Sequence, residues 1–254
     1  MGSGFDSKDC GMSVHHNIYA HNVTRNPRIG SWPGYYVNFD FRNNVLYNWG
    51  GVCGYSGAGG LCPIPTCEGD MYVNYVGNYA RYGPSTSTGE RYYLFGGDTT
   101  YCYLYHGNNS NYIYGSALAT ANNDLAMDGN MQANPAFAVP AWAAITTTDA
   151  QAAYNQIIGT KGAGDTAHLR DAVDARIIND IINGTGGIID YPSDVGGWLT
   201  YNDGTPYPDA DAAGMDDDWE TNHGLDPNDP DDHSQDRNGD GYTNLEEFLR
   251  CLLQ

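Results

Sequence analysis

The sequence predicts a mainly β chain wound as a solenoid, followed by a small acidic tail that takes cations. Strand-like segments of one design recur about 25–30 residues apart. Only 17% of the residues are charged, while Gly (33) and Tyr (21) abound, the profile of a turn-rich β protein rather than a helical bundle. The net charge of −20 is gathered at one end, where residues 201–254 carry 15 acidic against 2 basic side chains. Such a tail excludes nucleic acid as a partner and favours cations.

The repeating segments are "SVHHNIYAHN" (13–22), "YYVNFDFRNNVLYNW" (35–49) and "MYVNYVGNYAR" (71–81). "RYYLFGGDTTYCYLYHGN" (91–108) has the same flavour. Each mixes β-branched and aromatic residues with Asn near the strand edges: Asn17 and Asn22, Asn44 and Asn48, Asn74 and Asn78. In a solenoid, Asn side chains at one bend stack and hydrogen-bond along the axis. An antiparallel sandwich with Asn-rich turns has the same local signals, and periodicity alone does not choose between them.

From residue 111 the texture changes. "TDAQAAYNQIIG" (148–159) reads as a helix with Thr148 as N-cap, Gln151 completing a capping box and Gly159 as the stop. "RDAVDARIINDIING" (170–184) places Val173, Ile177 and Ile181 on one face, with Gly184 as the stop. The polar, Pro/Gly-rich stretch 201–208 reads as a linker, dividing a domain at 1–200 from a tail at 209–254.

The six cysteines lack zinc-site spacing, and a disulfide within "VCGYSGAGGLCPIPTC" is expected ahead of a metal site. No apolar run approaches the ~18–20 residues that span a bilayer, so no membrane partner is expected. The N-terminus has neither a basic nor an apolar leader region. No signal peptide is visible there, and the start reads as processed or truncated.

"DRNGDGYTNLEE" (236–247) is the sharpest motif. Asp236, Asn238 and Asp240 fall at positions 1, 3 and 5, Gly241 at 6, the Tyr242 carbonyl at 7, Asn244 at 9 and Glu247 at 12. That is the EF-hand-type loop: alternate oxygens turn inward, Gly allows the bend, and Glu at a helix start binds Ca²⁺ bidentately. An acidic disordered tail is the plain alternative. "DADAAGMDDDWE" (209–220) repeats the pattern with Asp209, Asp211, the Met215 carbonyl, Asp217 and Glu220. Its fifth position is Ala213, which offers no side-chain oxygen, so weaker binding is expected there. Asp226, Asp229, Asp231 and Asp232 lie between the loops and are available to complete a site. The tail is expected to be loose without metal and compact with it.

In "VTRNPRIG" two arginines flank a proline that stiffens the chain. Read alone, they are a surface pair bonded to nearby acids. In context, "SVHHNIYAHNVTRNPRIG", "NFDFRNNVLYNWG", "YVGNYARYGPST" and "RDAVDARIINDIINGTGGIIDYPSDVGGW" together resemble the pectate lyase family of polysaccharide lyases. The tail "GMDDDWETNHGLDPNDP…DRNGDGYTNLEEFL" resembles those that follow such domains in bacterial proteins. The resemblance covers residues 11–250 and implies a right-handed parallel β-helix with short flanking helices. It implies calcium-dependent β-elimination of polygalacturonate, by a secreted protein. The family's R-x-P motif falls on Arg25, Asn26 and Pro27, so Arg25 inherits the role of base. Arg28 and Arg42 are the substrate-binding candidates, a guanidinium fork suiting uronate carboxylates, with Arg81 and Arg91 as further members of the basic face.

The family's calcium acids and its substrate-binding lysine precede the R-x-P motif. Here only 24 residues precede Arg25, with Asp6, Lys8 and Asp9 as the only charges, and the family residues do not map onto them. A partial β-helix lacking N-terminal rungs is therefore expected, with impaired activity. Two other readings stand beside the lyase. One is a non-catalytic polyuronate-binding protein. The other is a structural protein that self-associates through an exposed β-helix end.

Overall fold

The computed structural model describes residues 11–31, 35–57, 69–91, 93–97, 102–107, 110–113, 117–119, 132–133, 136–137, 145–159, 170–201 and 204–252. It divides into two compact units, Met1–Trp198 and Leu199–Gln254.

The first unit coils through three sheets in turn. Strands β1 (Gly11–His15), β4 (Tyr36–Arg42), β7 (Asp70–Val76), β10 (Cys102–Gly107) and β13 (Gln132–Ala133) lie side by side in that order. Strands β2 (Ile18–Ala20), β5 (Val45–Tyr47), β8 (Tyr79–Arg81), β11 (Ser110–Ile113) and β12 (Ala117–Ala119) form the second sheet. Strands β3 (Arg28–Ile29), β6 (Gly54–Ser56) and β9 (Phe95–Gly96) form the third. All pairings are parallel except β11 with β12. This is the arrangement of a parallel β-helix, and the antiparallel sandwich is excluded.

Side-chain alternation explains why these segments coil. In β4, Val37, Phe39 and Phe41 point into the core and pack with Met71, Val73 and Tyr75 of β7. Each such aromatic or aliphatic burial contributes about 2 kcal/mol. The corner after β1, β4 and β7 is left-handed, with positive φ at His16 (55°), Asn43 (53°) and Gly77 (64°). A Cβ on Gly77 would come within 2.6 Å of the Asn43 amide nitrogen. The next residue in each rung is the stacking asparagine. Asn17 donates from its main chain to Asn44 Oδ1 at 3.0 Å, and Asn44 likewise to Asn78 Oδ1 at 2.9 Å. These bonds offset the cost of left-handed backbone at non-glycine residues. Asn22, Asn48 and Asn74 stand outside this ladder. Asn48 instead binds His21 and the Ser85 N–H, and Asn74 donates to Asp40.

Two helices lie on the second sheet. α1 (Ala150–Ile158) is capped by Asp149, whose Oδ1 accepts from the Ala152 N–H at 2.8 Å. The cap is thus one residue later than Thr148, because Asn43 engages Thr148 through both its N–H and its carbonyl. α2 (Ala172–Asn183) ends at Gly184 in the left-handed conformation. It buries Ile178 and Ile181 with Ile177 packed alongside, while Val173 stays exposed, so the inner face is rotated from the expected one. Tyr47 and Arg81 reach from the sheet to the Thr185 and Ile182 carbonyls at 2.6 and 2.9 Å. Burial pushes the Tyr47 phenol up to about 12.

Cys53 and Cys102 are buried and Cys251 is exposed, and none of the three is in a disulfide. Cys53 therefore takes no part in the expected loop disulfide. It is enclosed in the core, and burial pushes its thiol up. Cys62 and Cys67 lie outside the described residues.

The second unit holds α3 (Asp217–His223) and α4 (Asn244–Cys251). Phe248 of α4 is buried against Trp219 and Tyr207, with ring centroids 5.3 and 5.4 Å away. Thr243 caps α4 in a capping box with Glu246. Among the described residues no helix is long and apolar enough to cross a membrane.

Candidate functional site

The R-x-P segment runs from the second sheet into the third, and the following rung straps it down. Thr24 Oγ1 donates to the Val52 carbonyl at 2.6 Å, and the Asn26 N–H donates to the Cys53 carbonyl at 2.7 Å. The Tyr55 N–H donates to the Pro27 carbonyl at 3.0 Å. Asn26 is buried, its Oδ1 accepting from Asn22 Nδ2 at 2.9 Å. The Asn26–Pro27 peptide is cis. Gly54 lies directly beneath: a Cβ there would meet the Asn26 and Pro27 carbonyls at 2.9 and 3.0 Å.

Arg25 is presented by this strap. Its φ of 70° is left-handed, a conformation that a long side chain adopts only when its surroundings dictate it. The side chain is exposed, and its Nε donates to Tyr55 Oη at 3.3 Å. Arg28, on β3, is half-buried and donates from Nε to the Gly57 carbonyl at 3.2 Å. The third sheet thus brings Arg25, Arg28 and Tyr55 together.

Arg42 is not brought to them. It stands at the end of β4, forks onto both Asp40 oxygens and donates to Thr147 Oγ1 at 2.6 Å. Arg81 is spent on the end of α2, and Arg91 lies 4.6 Å from the Tyr82 ring centroid.

Grooves open on both sides of Tyr55. One is walled by Tyr19, His21, Arg25 and Ile188, the other by Val52, Glu90 and Tyr93. Glu90 is the one acid among the described residues that line them. Tyr55 was not legible as a site residue, although one rung added to Arg25 reaches its neighbourhood.

In the second unit the two loops differ. The 236–247 loop is exposed and closed upon itself. Asp236 accepts from the Gly239 and Gly241 N–H groups at 2.7 and 2.9 Å, and these bonds, Gly241 first, hold its carboxyl below the usual range. Asn238 accepts from the Asp240 N–H and Asp240 from the Tyr242 N–H, each at 3.0 Å. Glu247 meets Arg237 at 3.1 Å. Asn244 is buried, its Oδ1 taken by the Arg237 N–H at 3.2 Å and its amide by the Asp232 carbonyl at 2.7 Å.

The 209–220 loop is the buried one. Met215 and Glu220 are fully enclosed, and Asp217 accepts from the Ala210 N–H at 2.8 Å. Burial, then the charges of Asp211, Asp232, Asp217 and Asp209, push the Glu220 carboxyl up to about 7. As the side chains stand, no group of three or more His, Cys, Asp or Glu among the described residues encloses a metal ion.

No family model matches the chain. Curated proteins do. The Probable pectate lyase C of Aspergillus flavus is 32% identical over 257 residues, covering 98% of this chain and 55% of that protein. That of Neosartorya fischeri is 34% identical over 256 residues, with coverage of 98% and 55%. That of Aspergillus terreus is 33% identical over 250 residues, covering 96% and 54%. The chain spans about half the length of these curated relatives. Over nearly all of its own length, then, this chain is similar to proteins named pectate lyase C, and it shares with that resemblance a coil of parallel β-sheets.

Proposed function

We propose that the chain carries the arginine side of a pectate lyase site, acting on polygalacturonate by β-elimination outside the cell. The observation that carries this reading is the strapped R-x-P segment, which presents Arg25 in a left-handed conformation beside Tyr55. In the reaction, Arg25 as neutral guanidine takes the proton from C5 of a uronate. The electron pair left on C5 forms the C4–C5 double bond as the C4–O4 bond breaks. The leaving O4 takes a proton from water, and the resulting hydroxide recovers one from the guanidinium. Arginine is ordinarily protonated, with a pKa above about 12, so alkaline conditions favour the step. Arg28 orients a uronate carboxylate.

Calcium is the cofactor that the resemblance implies. Among the described residues that line the two grooves beside Tyr55, Glu90 is the one acid and lies in the groove that Arg25 does not line. This does not fit a calcium site, so no step there is assigned to the ion. The acid-rich tail fits it: the residues that would hold it are Asp236, Asn238, Asp240 and Glu247 in one loop and Asp209, Asp211 and Glu220 in the other. Bound there, calcium supplies charge neutralisation and folding free energy.

The test is to incubate the chain with polygalacturonate at mildly alkaline pH, with calcium or with chelator, following ultraviolet absorbance of the unsaturated product. A rise that Arg25→Ala abolishes supports the lyase. A flat trace with retained polyuronate binding replaces cleavage by recognition alone.

A further inference from the structure

We propose that the first cation site of the tail is composite, with Asp209, Asp211 and Glu220 from one segment and Asp232 from the next holding one calcium-class cation. This rests on the reading of the tail as calcium-binding. It differs from the contiguous loop in the residue that replaces the missing fifth-position oxygen.

The argument starts from which oxygens are used. Asp209 accepts from the Gly214 N–H through Oδ2 at 3.1 Å, and its buried Oδ1 has no partner. Asp211 accepts from the Ala213 N–H through Oδ1 at 2.9 Å, and its buried Oδ2 has none. Asp232 accepts from the Asp226 N–H through Oδ2 at 3.1 Å, and its Oδ1 is bare. Glu220 is 0% exposed with both oxygens bare, and Asp232 is 5% exposed. Three aspartates are therefore each held by one oxygen and leave the other free, around a glutamate that leaves two.

Burying a bare carboxylate oxygen is costly, and here the charges of Asp211, Asp232 and Asp209 all bear on the buried Glu220. Among the described residues no basic side chain pairs with any of them. Arg237, the arginine of the 236–247 loop, is turned to Glu247. A hard divalent cation is the partner that four carboxylates call for, and six to eight oxygens are what calcium takes, with carbonyls or water completing the set. Mutual repulsion accounts for carboxylates that do not close on a common point.

Asp232 fits the gap left by Ala213. Its carbonyl also accepts from Asn244 Nδ2 at 2.7 Å, at the start of α4. A cation held through Asp232 and Glu220 would thus tie α3 to the approach of α4. Asp217, at the ninth position, turns instead onto the Ala210 N–H and shows no buried bare oxygen.

The experiment is calorimetric titration of the metal-stripped chain with calcium chloride, with thermal melting as a second readout. The wild type is expected to bind two calcium ions. Asp232→Asn keeps an oxygen for the Asp226 N–H and is expected to weaken one site at least tenfold, leaving the other unchanged. Asp236→Asn is expected to weaken only the other. Adding Ala213→Asp to Asp232→Asn is expected to restore the lost affinity, which a merely structural Asp232 would not allow. If Asp232→Asn leaves both affinities unchanged while Glu220→Gln weakens one, the contiguous loop holds the ion and the composite site is wrong. If the wild type binds no calcium at millimolar concentration, the calcium reading of the tail fails as well. If Asp232→Asn unfolds the tail and Ala213→Asp does not rescue binding, the proposal is likewise overturned.

Discussion

Arg25 Nε donates to Tyr55 Oη at 3.3 Å across 30 residues of sequence, so the tyrosine of one rung aims the arginine of the rung before it. Among the described residues Tyr55 Oη is the one side-chain hydrogen-bond partner of this exposed guanidinium, and Phe cannot replace it. Tyr55→Phe is expected to lower lyase activity about tenfold, as losing one hydrogen bond of ~1.4 kcal/mol would. On the proposed reading, Arg25→Ala removes the proton acceptor and is expected to abolish activity. Initial rates on polygalacturonate check both, and unchanged rates in Tyr55→Phe would remove the tyrosine from the site.

Gly54 lies under the carbonyls of Asn26 and Pro27, where a Cβ would stand 2.9 and 3.0 Å from them. Backbone oxygens yield poorly, so Gly54→Ala is expected to cost about 1–3 kcal/mol through overpacking. It should also displace Arg25. Denaturant unfolding together with the activity of the folded fraction separates the two effects.

Asn44 is fully buried and joins two neighbours. Its Oδ1 accepts from Asn17, and its Nδ2 donates to Asn78 Oδ1 and the Val14 carbonyl at 3.1 and 3.0 Å. Asn44→Ala leaves several buried groups unsatisfied at about 1–3 kcal/mol each. It should therefore destabilise the first unit more than Asn17→Ala at the ladder's outer rung. Equilibrium urea denaturation of the two variants measures the order.

His21 is shielded by α2, with Nε2 3.3 Å from Asp180, Arg176 beyond it and Asn48 on Nδ1. Burial lowers its pKa below the usual histidine value, against the opposing pull of Asp180. The unfolded chain therefore binds the proton more readily. The His21 contribution to stability is complete above about pH 6.5 and is lost as pH falls through the lowered folded value. Melting temperatures between pH 7 and pH 5 should drop, and His21→Gln should flatten that part of the profile.

Much of the β-helix was legible because its signals are local and periodic. Aromatic and β-branched residues alternate along β4 and β7, and the stacking asparagines recur once per rung. The helix stop at Gly184 was legible for the same reason, since only its own conformation is at issue. The cap of α1 was not, because Asn43 reaches in from 105 residues away to occupy Thr148. Arg42 was offered as a substrate ligand on the resemblance. Alternation already puts Asp40 on its face of β4, but that Thr147 arrives from 105 residues away to take the guanidinium as well is not written in the local sequence.

The tail shows the same division. The sequence by itself determined the acidity and the loop spacing of residues 209–247, since these are properties of the chain. By spacing the 236–247 loop was the stronger site, yet the bare buried oxygens gather around Glu220. Only the tertiary structure decided that, because burial and the use of each oxygen depend on what packs against it. Asp232 lies 12 residues beyond Glu220, outside any contiguous loop pattern, and folding alone brings its charge to bear on that glutamate.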